Sequence, residues 1–166
     1  MAFGLLIVRI IFGSLMAAHG TQKLFGWLGG YGVAGTGQFF EGLGFRPGST
    51  FAVAAGSTEL VSGLLVALGL FGAVGPALMI SVMVVAIVTV HLPNGLLSSS
   101  NGIEVPLLYA AVAAALALTG PGAASLDAVL GLGWLSAAPL SGALLLAGVA
   151  AGIVNLALRR PALVAA

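Results

Sequence analysis

The chain has 166 residues, of which 60% are hydrophobic and 5% charged, with a formal net charge of +1 at pH 7. Soluble domains carry roughly 25% charged residues, so this composition, with a mean hydropathy of +1.22, excludes a water-facing globule and marks an integral membrane protein whose solvent is the lipid bilayer. There is no basic run that would follow phosphates and no cysteine, which excludes nucleic-acid binding, disulfides, thiolate metal sites and dithiol redox chemistry.

Inside a bilayer the backbone must satisfy its own hydrogen bonds, as helices or as a closed barrel. The apolar runs are long and show no period-two alternation, so they predict helices. The first spans Phe3–Phe25. It reads as a retained helix and not a cleaved signal segment, because it lacks a basic start and Arg9 interrupts its apolar part. The connection Gly26–Ser49 is rich in Gly and aromatics (Trp27, Tyr31, Phe39, Phe40, Phe45), which suits a membrane interface, and Gln38–Phe45 predicts a short half-buried helix.

The second long helix is expected over Thr50–Phe71. The third starts at Gly75-Pro76, where the missing proline N–H costs little, and stops in His91-Leu-Pro-Asn-Gly95. The fourth and shortest runs from Glu104 to Thr119 and is closed by Gly120-Pro-Gly122. A long connection to Pro139 leads to the fifth, Leu140–Leu158, which Arg159-Arg160 ends. The expected fold is all-α: an integral membrane four-helix bundle over residues 1–131, with an additional C-terminal transmembrane helix and basic end over residues 132–166.

Alternating crossings bring the end of the first helix and the start of the second to one membrane face. The end of the third, the start of the fourth and the end of the fifth join them there. Lys23, Arg46, Arg159 and Arg160 gather at this face, and at most Arg9 lies at the other. The positive-inside rule then predicts an external N-terminus and a cytoplasmic C-terminus.

The same face collects His19, Lys23, Glu59, His91 and Glu104. At 1.5 Å per residue His19 lies about 8 Å, and Glu59 about 13 Å, below it. Glu59 is the only charge between Phe51 and Phe71. A carboxylate near a bilayer centre costs ~2.5–3.5 kcal/mol, so it calls for a partner, a proton or a task. Small residues on the first helix (Gly13, Gly20) and the second (Ala52, Gly56, Gly63) predict that these two pack closely with Glu59 turned inward.

Two readings of these polar residues follow. In the structural one, Glu59 pairs with Arg9, Lys23 or His19 to set helix register. Lys23 and Arg9 then reach for head groups, and His91 bonds a nearby carbonyl. Glu104 serves its helix N-terminus through a capping box, Asn101-Gly-Ile-Glu104, and Asp127 is a loop or cap residue. In the functional one, the five residues form a polar pocket. Histidines and carboxylates supply acid–base groups, and the aromatics hold a flat apolar ligand. A quinone fits, its carbonyls accepting from His or Lys. No pair has metal-ligand spacing on one helix, and two histidines on different helices are weak grounds for haem.

The order of several short motifs resembles the DoxX family of small bacterial membrane proteins. They are Arg9 then His19-Gly-Thr-Gln-Lys23-Leu, Phe40-Glu-Gly-Leu-Gly-Phe45, Glu59 with Gly63, and His91. Asn101-Gly-Ile-Glu104-Val-Pro-Leu-Leu-Tyr109 follows, then Gly120-Pro-Gly122 before Ser125-Leu-Asp127. The resemblance covers about residues 3–131, and the fifth helix lies beyond the usual family core. It implies a four-helix membrane core in the plasma membrane. It also implies kinship with the quinone-linked oxidoreductase of a terminal oxidase system, and with mycobacterial relatives associated with oxidative-stress defence. It brings no established catalytic residues, and the missing cysteines rule out a thiol relay.

Three functions are therefore in play. The first is the membrane subunit of a quinone-linked oxidoreductase or oxidative-stress and detoxification system, with a soluble or membrane redox partner. The second is a proton-coupled small-solute transporter acting through Glu59. The third is a non-catalytic scaffold presenting the Gly26–Ser49 loop to soluble partners. Whether the chain is an enzyme is left open, and Gly142, Gly148 and Gly152 in the fifth helix permit a homo-oligomer.

Overall fold

The structure, a computed structural model, describes residues 2–160. Among the described residues every regular element is helical. The elements are α1 (Ala2–Phe25), α2 (Gly32–Gly42), α3 (Gly48–Leu68), α4 (Val74–Ala86), α5 (Glu104–Thr119), α6 (Leu126–Val129) and α7 (Ala138–Ala157). Four segments are long and apolar enough to cross a membrane: Phe3–Phe25, Gly48–Leu68, Val74–Asn94 and Ala138–Ala157. At 16 residues, α5 spans about 24 Å, short of the ~30 Å hydrocarbon core. Isoleucines and leucines such as Ile7, Ile10, Leu146 and Ile153 stay exposed on the outer faces, as lipid contact requires. The protein is an all-α membrane bundle with an additional C-terminal helix.

α1 and α3 run antiparallel along a seam of small residues, as their spacing predicts. A Cβ on Gly13 or on Gly20 would lie 2.5 Å from the backbone nitrogen of Ala67 or Leu60, respectively. The backbones therefore touch, and nothing larger than glycine fits. α3 ends three residues earlier than its apolar run suggests. Gly69 takes a left-handed φ of 64°, and the N–H groups of Gly69 and Leu70 close the last turn on Val66 and Leu65.

α4 ends irregularly. Pro93 has no N–H to continue an α turn. The chain widens into a π turn over Ile87–His91, where the Leu92 N–H donates five residues back to Ile87, and then tightens into a 3-10 turn over Leu92–Asn94. α7 lies along α4. A Cβ on Gly152 would sit 2.7 Å from Cβ of Val84, and one on Gly148 would collide with the Ala77 carbonyl. These two glycines are thus filled within the chain and are not a free face for self-association. Of the three glycines of α7, Gly142 alone has open space beside it.

The long connection after α5 folds into α6 and a 3-10 turn over Gly133–Ser136. It closes one end of the bundle. Asp127, 1% exposed, accepts from the N–H groups of Phe71 (2.8 Å) and Gly72 (2.6 Å). Phe71 has a φ of 60°, a costly conformation for a bulky residue, and the carboxylate holds it there.

Candidate functional site

The opposite end of the bundle, marked by Lys23, holds a cavity of about 430 Å³ whose walls come from α1, α2, α3, α4 and α7. A volume of roughly 300–1,000 Å³ is typical for a small-molecule site. Glu59 sets its chemistry. It lies eleven residues into α3, about 16 Å along the helix axis from Gly48. The helix turns it inward, to 3% exposure. Nζ of Lys23 meets its Oε2 at 2.6 Å across the α1–α3 seam. The carboxylate thereby has the partner its burial demands.

The pair keeps unused capacity. Among the described residues no protein group donates to Oε1 of Glu59, and the single bond to Oε2 leaves two of the three ammonium donors of Lys23 free. Both residues line the cavity, so it is offered one acceptor and at least one donor.

His91 enters through the π turn. Its Nδ1 lies 2.9 Å from the Asn101 carbonyl. A carbonyl only accepts, so Nδ1 carries the hydrogen and Nε2 of the neutral ring is an acceptor. The hydroxyls of Thr58, Ser81 and Thr89, which also line the cavity, donate to the carbonyls of Ala54, Leu78 and Val85 at 2.7–2.8 Å. Their hydrogens are engaged, and only lone pairs remain.

Aromatic rings make the other wall. Phe39, Phe40, Phe45 and Phe51 form a chain of neighbours with centroids 5.2–6.1 Å apart. Such a face suits a flat apolar ring. α2 presents two of them because it docks on the start of α3. There Oε1 of Glu41 accepts from the Gly48 N–H at 3.0 Å, and Gly37 and Gly48 touch backbone to backbone. A carboxylate at a helix start is favoured by the macrodipole. This role of Glu41 escaped the sequence reading. Its signal was an acid a few residues before a helix with no capping side chain of its own.

Of the five residues proposed for the pocket, the cavity gathers Lys23, Glu59 and His91. His19 is not among its lining. It is exposed, its ring edge-on to Tyr109 at 6.1 Å and its Nδ1 3.1 Å from Oε1 of Gln22. Glu104 is not there either. It folds back and accepts from the Ser98 N–H at 2.7 Å. No Asn101–Glu104 capping box forms, because Asn101 sits at a φ of 62° and closes the preceding turn. Arg9 does not pair with Glu59. It is buried at the far end and donates to the carbonyls of Pro121 (2.7 Å) and Ala124. Among the described residues no three acidic or histidine side chains converge on a metal-sized point. The polar groups of the cavity have spare capacity to hydrogen-bond a molecule that enters it.

Fold and cavity together define a small multi-pass membrane protein with a ligand-sized, mainly apolar pocket at one end that carries a few polar groups. The sequence model of the DoxX family matches residues 4–92, more than half of the chain, and the chain belongs to this family. The matched stretch holds Lys23, Glu59, His91 and the four phenylalanines, and it leaves α5 and α7 outside. No curated protein and no solved structure matches the chain.

Proposed function

We propose that this chain is the membrane subunit of a quinone-linked redox or oxidative-stress system of the bacterial plasma membrane, with the cavity at the Lys23 end as its quinone site. The observation that carries this reading is the Lys23–Glu59 pair set into a cavity of about 430 Å³ with a phenylalanine wall. Both oxidation states of a quinone find complementary groups there. A carbonyl oxygen accepts from the free N–H of Lys23, and a quinol hydroxyl donates to Oε1 of Glu59 or Nε2 of His91. The chain has no cysteine to pass electrons, so a soluble or membrane redox partner supplies or removes them, and this subunit holds the ring and its protons.

A blind pocket fits the far end better than a transport path does. There a void beside Arg9 among the described residues is about 10 Å³, too small for a solute. The test is direct. Protein purified from its native membrane in mild detergent is extracted for quinone and titrated with menadione, a ring quinone without a tail. The reading expects quinone in the extract or saturable menadione binding, together with a redox enzyme in pull-downs. Protein that neither carries nor binds quinone and captures no redox partner sinks it.

A further inference from the structure

α7 lies outside the family-matched residues, yet it forms part of the cavity wall through Ala151 and Asn155. Its residues are apolar apart from Ser141 and Asn155. An amide in such a helix is costly unless something answers it. Among the described residues the Asn155 side chain makes no hydrogen bond to protein, and it lines the same cavity as Lys23 and Glu59.

Its position is held from both sides. Three residues earlier, Gly152 seats α7 against Val84 of α4. Four residues later, Nε of Arg159 donates to the Leu43 carbonyl, and the Arg160 N–H donates to the Gly44 carbonyl at 2.7 Å. Gly152 and Asn155 are three apart and share one helix face, so the face that carries the seat also carries the amide, while the latch follows just past the end of α7. The latch grips the turn next to Phe45, so the end of α7 and the aromatic wall are tied together.

We infer that Asn155 is a ligand-contact residue, its side-chain amide hydrogen-bonding an oxygen of the ring ligand from a different wall than Lys23. α7 would then add a polar specificity contact to the pocket formed by the family-matched segment. The inference rests on the quinone reading of the cavity and deepens it, because it calls for a ligand with oxygens on more than one side of its ring.

The experiment uses the full chain in detergent, as wild type and as Asn155→Leu, a change that keeps side-chain size and suits an apolar helix. Two probes are titrated: menadione, and methylnaphthalene, which has the same rings without the oxygens. Asn155→Leu is expected to weaken menadione about tenfold and leave methylnaphthalene unchanged, at a Tm equal to wild type. Equal menadione affinity in both proteins overturns the inference and means that water or head groups solvate the amide. An equal loss of both probes also overturns it, since shape and not hydrogen bonding would be at stake. A wild type that binds no menadione fails one step earlier, and the quinone reading falls with it. Should Asn155→Leu lower the Tm, Asn155→Ala supplies the same comparison, with the same outcomes deciding.

Discussion

The two ends of the α1–α3 seam bury charge in opposite ways. At the far end Arg9 and Asp127 are 2% and 1% exposed, and each bonds to backbone. Arg9 takes two carbonyls and Asp127 takes two N–H groups. Nε of Arg9 is left without a protein partner, and the void there is about 10 Å³. Gly69 completes the fit, since any Cβ at that position would collide with the guanidinium. At the Lys23 end the charges meet each other, keep unused donors and acceptors, and face a cavity of about 430 Å³. Charges committed to backbone lock the helices. Charges that retain capacity beside an open volume can take up a ligand.

The sharpest way to break this contrast is Asp127→Ala. It strips two buried N–H groups of their acceptor, at ~1–3 kcal/mol for each group left unsatisfied. A stability loss of about 3 kcal/mol in detergent unfolding is expected, with menadione affinity of the folded fraction unchanged. Loss of binding without loss of stability would place function at the wrong end. Next comes Lys23→Met, which leaves Glu59 buried and uncompensated. Breaking a buried pair costs ~3–5 kcal/mol, and about half of that is expected because the Lys23 side chain is 25% exposed. Restoring charge balance with Glu59→Gln in the same chain should recover most of the Tm and none of the ligand binding.

Gly152→Leu tests the α7 wall. Overpacking the α4–α7 contact should cost ~1–3 kcal/mol and weaken menadione through a distorted cavity. Binding that survives intact would show that α7 is not part of the site. The smallest effects are expected at His19→Ala and Glu104→Gln, residues outside the cavity. Each should leave menadione affinity within twofold of wild type, roughly the reproducibility of such titrations (0.4 kcal/mol is about a factor of two). A tenfold loss at either would restore the five-residue pocket that the sequence suggested.

The membrane helices were legible because hydropathy and length decide them, and because glycine spacing foretold the α1–α3 seam. Their irregular ends were not. The π turn at His91, the early stop of α3 and the helical turns between α5 and α7 depend on local backbone geometry that a hydropathy pattern does not encode. Counting depth along each axis puts Lys23, Glu59 and His91 at one level, and all three line the cavity. It also groups His19 and Glu104 with them, which the cavity lining does not include, because depth says nothing of direction around the axis or of a loop that folds back, as Ser98 does to meet Glu104. The sequence offers Arg9 as one of three partners for Glu59, or as a residue reaching for head groups, because its acceptors, Pro121 and Ala124, are carbonyls 112 and 115 residues away. Asn155 was overlooked since α7 reads as an appendage. A lone amide in an apolar helix was the available signal.

The most direct test of the account is menadione affinity in the charge-neutral double variant, Lys23→Met with Glu59→Gln, against wild type. Hydrogen bonds to charged groups contribute ~1.5–3 kcal/mol. The account predicts a loss of at least about tenfold, at a Tm close to wild type. Equal affinity in the two proteins would contradict it, because the Lys23–Glu59 pair would then serve only to hold α1 against α3.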